Sequence, residues 1–183
     1  MKFPHRHWSA VQRRFPASLQ VANTNFIKSW CANVERVFVN FHTSILFQGE
    51  GELEVNGQRY PLKAPCVFVI YPRDKVLYRA SSPSGAFSQL YFDFEAAYVS
   101  ELERLRLVSR SKRVWTLANP AKIWAFAEEL CALSHTFPLE NVVDRVDRLC
   151  ERILMEAQTS PEAESKEDCV IDRVLARMQA EPQ

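Results

Sequence analysis

The chain of 183 residues is long enough for one substantial domain with an appendage. Its apolar fraction of 47% and charged fraction of 25% are ordinary for a soluble globular protein, and no window approaches the roughly 20 apolar residues of a membrane-spanning helix. The net charge of +1 excludes the strongly basic composition that is typical of domains in direct contact with nucleic acid.

The five cysteines are scattered along the chain, without a CxxC or another metal-spaced pair. Their odd number argues against a disulfide framework and favours a reducing compartment. The N-terminus lacks the apolar run of a signal peptide. We therefore expect a cytoplasmic protein.

Residues 1–20 precede the first strand-like run and mix Phe3, Trp8, Phe15 and Leu19 with arginine and histidine. Pro16 ends any short helix that begins near Ser9. We interpret these residues as an N-terminal arm that is loosely attached to the domain, as chain ends commonly are.

Residues 21–117 are predicted to form a β-domain, with a break in the first strand at residues 23–25. Between residues 34 and 47 the side chains alternate between two faces, and one face carries Phe38, Asn40, His42, Ser44 and Leu46. Aromatic rings beside amides and imidazoles are the composition of a sugar-binding wall, because rings stack on a sugar and polar groups bond its hydroxyls. An edge strand with Asn40 and His42 facing water would show the same pattern.

The stretch of residues 45–72 contains two strand-like runs joined by Asn56 and Gly57. Asn-Gly between alternating apolar residues is a strong hairpin signal, because both turn positions need φ > 0. Residues 66–71 are apolar on both faces, which predicts a strand buried on both sides, and Pro72 ends it. Strand, tight turn, strand and buried strand in this order are typical of a small antiparallel barrel or sandwich.

Residues 76–80, 87–94 and 114–117 are predicted to be further strands. In 87–94 one face is apolar enough to be packed, with Leu90, Phe92 and Phe94. The opposite face, which carries Tyr91 and Asp93, is either a pocket wall or a solvated surface.

After Leu117 the period of the apolar residues changes from 2 to 3.6, which predicts an α-helical hairpin in residues 118–158. Asn119 suits the N-cap and Pro120 the first helical position. The second helix is expected to begin near Asn141, with Asp147 on its solvated face. The apolar stripes of the two helices are wider than contact with one partner requires, and their spacing suits helix–helix packing. Packing against the barrel alone would also explain them. The stripe residues are Ile123, Phe126, Leu130, Val142, Val146, Leu149 and Ile153.

Residues 159–168 are polar and rich in glutamate and serine, which predicts an interdomain linker. Residues 169–180 then have the pattern of an amphipathic helix, with Ile171, Val174, Leu175 and Met178 on one face. A lone helix after a linker has no packing partner. We therefore expect the chain to be a fragment of a longer protein, with another domain beginning at residues 169–183.

A series of short motifs follows in one order: Gly49, Gly51, Asn56-Gly57, Tyr60-Pro61-Leu62, the strand 67–71 with Pro72, and the aromatic strand 90–94. Together with the helices that follow, this order resembles the sensor domain of the AraC-type bacterial transcription regulators, over roughly residues 34–183. The chain departs from the family pattern where Ala64-Pro65 replaces a Gly-Asp step. It also lacks the histidine that often follows the proline.

The resemblance implies a mainly β fold with C-terminal helices, in which a cupin-like, jelly-roll-like antiparallel β-barrel precedes the α-helical hairpin. It implies no enzyme and no cofactor, but a sensor that binds a small molecule, most commonly a carbohydrate. The sensor would control DNA binding by a helix-turn-helix domain outside this chain. The arm would then lie over the ligand with Trp8 as a lid, and the helix pair would form a homodimer through the seven stripe residues named above. The candidate ligand-binding residues are Trp8, Asn40, His42, Arg79, Tyr91 and Asp93.

Two other functions compete with the sensor. A metal-dependent cupin enzyme, an isomerase or oxygenase, needs an H-x-H pair with a nearby glutamate inside the barrel. His42 is alone in that segment, so we expect no metal. A ligand-free dimerisation scaffold would instead have a barrel interior filled with side chains.

Overall fold

The computed structural model describes residues 4–30, 33–81 and 87–158. Within these ranges ten strands form two antiparallel sheets. The strands are β1 Arg6–His7, β2 Val21–Trp30, β3 Asn33–Val37, β4 Phe41–Gln48, β5 Glu50–Val55, β6 Gln58–Lys63, β7 Cys66–Ile70, β8 Lys75–Ala80, β9 Phe87–Phe94 and β10 Val114–Thr116.

The larger sheet has the strand order β1-β2-β9-β4-β7-β10, and the smaller has the order β3-β8-β5-β6. The predicted Asn-Gly turn is confirmed, because Asn56 and Gly57 have φ values of 52° and 86° between β5 and β6. The predicted break at residues 23–25 is wrong. There β2 continues, because residues 23–25 pair with β9 and the Asn23 and Thr24 side chains also have hydrogen-bond partners.

Three α-helices follow or interrupt the strands: α1 Val99–Arg104, α2 Pro120–Ser134 and α3 Val143–Gln158. The predicted start of α2 is confirmed, because the Asn119 side chain accepts a hydrogen bond from the Lys122 backbone N–H at 3.1 Å. A short 3₁₀ turn, Leu139–Asn141, joins α2 to α3. No helix in the described ranges is long and apolar enough to cross a membrane.

The buried apolar side chains divide into two clusters. One contains Phe41, Ile45, Leu90 and Phe92 of the larger sheet together with the inward stripes of α2 and α3. The other lies between the two sheets and joins residues such as Leu46 and Phe68 to Leu53 of the smaller sheet. The fold is therefore the predicted cupin-like antiparallel barrel, with helices packed on the outer face of its larger sheet.

The N-terminal arm packs tightly on this helix layer, in contrast to the loose attachment predicted from its sequence. The Arg13 guanidinium donates to both carboxylate oxygens of Asp147 on α3, at 3.0 and 3.2 Å, and to the carbonyls of Trp8, Val11 and Val21. Asp147, which was expected on a solvated helix face, is fully buried.

Candidate functional site

A cavity of about 140 Å³ lies between the two sheets, and we call it the inter-sheet cavity. Its apolar wall consists of Ile27, Phe38, Phe68 and Ile70. Its polar side chains are Arg36, His42, Tyr78, Gln89 and Tyr91. The alternation of the strands explains this lining, because the odd positions of β9 and the even positions of β4 face the smaller sheet.

His42 is held by a partly buried acid on the neighbouring strand. Its Nδ1 lies 2.6 Å from Oδ1 of Asp93, so the imidazole N–H donates to the carboxylate. The other oxygen of Asp93 accepts from the Asn23 amide at 3.1 Å, and the Asn23 carbonyl oxygen accepts from His7 at 2.6 Å. A continuous chain of hydrogen bonds therefore runs from the cavity wall to β1 in the N-terminal arm.

The pKa of Asp93 reflects the same contacts. Burial by itself would raise this pKa, but the interaction with His42 and the hydrogen bonds from His42 and Asn23 outweigh it and lower the pKa below its ordinary value. The carboxylate is therefore ionised near neutral pH, and it fixes the His42 ring in one orientation.

Two tyrosine hydroxyls offer neutral hydrogen-bonding groups to the cavity. Tyr78 donates to the side-chain oxygen of Gln89, and Tyr91 accepts from the Asn25 amide at 3.3 Å. Burial raises the pKa of both hydroxyls, so both keep their proton at neutral pH. The cavity thus combines aromatic faces with fixed hydrogen-bonding groups, as small-molecule sites commonly do.

Arg36 brings a positive charge to the mouth of the cavity. Its guanidinium carbon lies 4.0 Å above the centre of the Phe38 ring, and it makes no ion pair with a carboxylate of the described residues. Arg36 also lines an adjoining groove of about 200 Å³ with Asn40 and Asp93. Asn40 therefore lies beside the cavity rather than in its wall.

The structure brings together four of the six residues predicted to bind a ligand. His42 and Tyr91 line the inter-sheet cavity, while Asn40 and Asp93 line the adjoining groove. Trp8 lies elsewhere: it is fully buried in the cluster between sheet and helices, where its indole N–H donates to Thr24. Arg79 is exposed and pairs with Glu52 at 3.0 Å, because its position on β8 faces away from the larger sheet.

The seven residues predicted for a dimer interface are core residues of a single chain. Each of them is at most 8% exposed, because α2 and α3 lay their apolar stripes against the larger sheet and against each other. Their surface is therefore not available to a second copy.

Sequence reasoning missed Ile27, Arg36, Phe68, Ile70 and Tyr78 as cavity residues. Phe68 and Ile70 belong to a run that is apolar on both faces, so its alternation carried no signal. Tyr78 lies in a predicted strand, but the candidate ligand-binding residue in that strand was its neighbour Arg79, which faces the opposite side. Gln89 was assigned to the correct strand face but not to the site.

The His42–Asp93 pair resembles the base and orienting acid of a nucleophilic enzyme, but within the described residues His42 makes no hydrogen bond to a serine, threonine or cysteine side chain. The Ser44 hydroxyl, two positions along the same strand, is buried and has no hydrogen-bond partner there. Among residues 4–30, 33–81 and 87–158, no three His, Cys, Asp or Glu side chains stand together as metal ligands do.

Comparison with solved structures finds distant similarities. Apo ToxT from Vibrio cholerae is 12% identical, with 81% of this chain and 61% of that chain covered and a TM-score of 0.43. A Cupin 2 conserved barrel domain protein from Salinispora arenicola is 18% identical, with coverages of 56% and 84% and a TM-score of 0.35. Ectoine synthase from P. lautus is also 18% identical, with coverages of 51% and 62% and a TM-score of 0.31.

No curated protein sequence matches the chain. Among family models, the AraC-like ligand binding domain matches residues 35–168, which is well over half of the chain. The match begins inside β3 and extends beyond α3, so it covers the helices and every strand that lines the cavity except β2, which carries Ile27. The chain belongs to the family of AraC-like ligand binding domains.

Proposed function

We propose that this chain is the sensor domain of an AraC-type transcription regulator and that its effector binds in the inter-sheet cavity. The observation that carries this proposal is the cavity itself, in which aromatic faces surround the fixed polar groups of His42, Gln89 and Tyr91. A scaffold without a ligand would gain stability by filling this space with apolar side chains.

The cavity volume limits the effector to a small molecule. Its roughly 140 Å³ lies below the ~300–1,000 Å³ of sites for drug-sized ligands and near the ~150 Å³ of an engineered protein cavity that binds benzene. A single ring fits this size, and the substituents of a larger ring compound such as a monosaccharide would extend into the adjoining groove, which shares Arg36 with the cavity. A monosaccharide is the class we favour, because the cavity offers rings for stacking and donors and acceptors for hydroxyl groups.

The effector would act by favouring one of two conformations. Such a shift requires different affinities of the ligand for the two states. A ligand that bonds to His42 also touches the chain of hydrogen bonds through Asp93 and Asn23 to His7. The N-terminal arm is therefore the element whose position we expect to respond, and DNA binding would follow through a helix-turn-helix domain outside this chain.

We also propose that the sensor works as a homodimer through the outer side of its helix layer. Phe15 and Met155 are exposed apolar side chains on that side, at 71% and 46% exposure, whereas the predicted stripe residues are buried. Replacement of Met155 by aspartate should shift the sedimentation coefficient to that of a monomer. An unchanged dimer would contradict this interface.

A thermal-shift screen tests the effector site. The panel contains monosaccharides, disaccharides, sugar acids and aromatic acids at millimolar concentration. A ligand at 100 times its Kd stabilises by about 2.7 kcal/mol, which corresponds to roughly 5–10 °C in Tm for a chain of this size. We expect one monosaccharide or sugar acid to raise the Tm and the disaccharides to have no effect.

Two variants locate the binding site. Tyr91→Phe removes one hydroxyl from the cavity and should reduce the shift, whereas Tyr60→Phe on β6 lies outside the cavity lining and should leave it unchanged. Equal shifts in both variants would place the ligand elsewhere. No shift with any compound would refute the carbohydrate proposal.

A further inference from the structure

A second and larger cavity lies at the opposite face of the larger sheet. It has a volume of about 440 Å³ and opens to solvent between the strands and the first turn of α2. Phe26, Phe47 and Trp124 form its apolar floor, with the Trp124 ring edge-on to both phenylalanines at centroid distances of 5.5 and 4.9 Å. We call it the α2 groove. Its volume lies within the range of ~300–1,000 Å³ that is usual for specific binding sites.

The chain leaves the described structure beside the helix turn that borders this groove. α2 and α3 are joined by a short connection and run antiparallel, so the C-terminal end of α3 lies next to the N-terminal end of α2. An ion pair of 2.8 Å between Lys122 and Glu156 joins these two ends. The first turn of α2 supplies Pro120, Ala121 and Trp124 to the groove.

The sequence that follows Gln158 contains a segment with a matching surface. Residues 169–180 place Ile171, Val174, Leu175 and Met178 on one side of a predicted helix. Such a stripe needs an apolar surface to cover it. The ten residues 159–168 reach at most about 33–36 Å at ~3.3–3.6 Å per residue, which is ample for a site that begins at the neighbouring helix end.

We propose that residues 169–180 of this same chain bind in the α2 groove as an amphipathic helix, with their apolar stripe against Phe26, Phe47 and Trp124. The position at which the chain leaves α3 and the apolar pattern of the segment both point to this occupant. The contact would connect the helix layer directly to whatever follows the sensor. The proposal does not depend on the identity of the effector or on the inter-sheet cavity.

Thiol protection in the full 183-residue chain tests this contact. Ala121→Cys puts a thiol in the groove, and Ala132→Cys puts one on the exposed side of the same helix more than two turns away. Each variant is also made with Val174→Asp and Leu175→Asp, which remove the apolar stripe. The alkylation rate at each introduced position is measured by peptide mapping, so the native cysteines do not interfere.

We expect alkylation at position 121 to be severalfold slower with the native stripe than with the two aspartates, and alkylation at position 132 to be equally fast in both. Equal rates at position 121 in both backgrounds would overturn the proposal. Protection that increases with protein concentration would also overturn it, because the groove would then be covered by a second copy. Circular dichroism melts of the four variants verify that the domain stays folded.

Discussion

The buried ion pair between Arg13 and Asp147 yields the sharpest stability prediction for this domain. Asp147 is fully buried and accepts hydrogen bonds from the Arg13 guanidinium and, at 2.9 Å, from the Val21 backbone N–H. Asp147→Asn keeps the shape of the side chain but removes its charge. The Arg13 guanidinium, whose side chain is only 5% exposed, would then remain buried without a counter-charge.

Removing one partner of a buried ion pair typically costs about 3–5 kcal/mol, because the remaining charge stays desolvated. For a chain of this length, each kcal/mol lowers the Tm by roughly 2–4 °C, so we expect a decrease of roughly 6–20 °C. Replacing both partners, Arg13→Met with Asp147→Leu, should cost less than the sum of the two single substitutions, since no charge is then left unpaired.

Chemical denaturation and thermal melts measure these differences. Glu151→Gln is the matched control, because Glu151 lies one turn further along α3 and is half-buried, and its side chain makes no hydrogen bond or ion pair with a described residue. Trypsin should also cleave after Arg14 faster in Asp147→Asn, since the arm loses its contact with α3. A destabilisation no larger than that of Glu151→Gln would refute the reasoning.

Three further predictions concern single positions. Gly51→Ala should destabilise the domain by at least ~1–3 kcal/mol in urea unfolding, because a Cβ there would lie 2.2 Å from the Arg79 carbonyl oxygen and 2.5 Å from the Phe87 ring; a neutral effect would contradict the close packing of these strands. Asn119→Ala should cost about 1 kcal/mol by loss of the helix cap, and Asn119→Gly clearly less. The lowered pKa of Asp93 stabilises the fold above the unfolded-state value of about 3.9, and this stability is lost as the pH falls through the folded-state pKa. Asp93→Asn should therefore make the unfolding free energy less dependent on pH below about 4, and an unchanged acid limb would refute the assignment.

The strand faces could be predicted because alternation is a local property of the sequence. Gln89, Tyr91 and Asp93 share one face of β9, and that face meets the smaller sheet as the period of 2 requires. What alternation cannot tell is which strands face each other across the barrel. Tyr78 and Phe68 therefore had no sequence signal as partners, although their rings lie 5.4 Å apart in the cavity wall.

The helix layer shows the same limit. The stripe that contains Val146 and Leu149 indicated correctly that one side of α3 is buried, but an apolar stripe does not say whether a sheet or a second chain covers it. Asp147 was predicted to be solvated from its position outside the apolar stripe of α3, whereas its buried partner, Arg13, is 134 residues away in the chain. The residue pattern of one helix gives no information about a partner so far away in the chain. The two charges come together only because the N-terminal arm packs against α3.

Strand β9 serves both halves of the domain with different residues. Two of its odd positions, Gln89 and Tyr91, line the inter-sheet cavity, whereas its even positions Leu90, Phe92 and Phe94 belong to the cluster packed with the helices. On the proposed function, substitutions at Gln89 or Tyr91 would change the effector-binding surface and leave the side chains that pack against the helices in place. The proposed effector site and the helix contact could then vary separately along one eight-residue strand, and a library of effector-binding variants could be limited to its alternate positions.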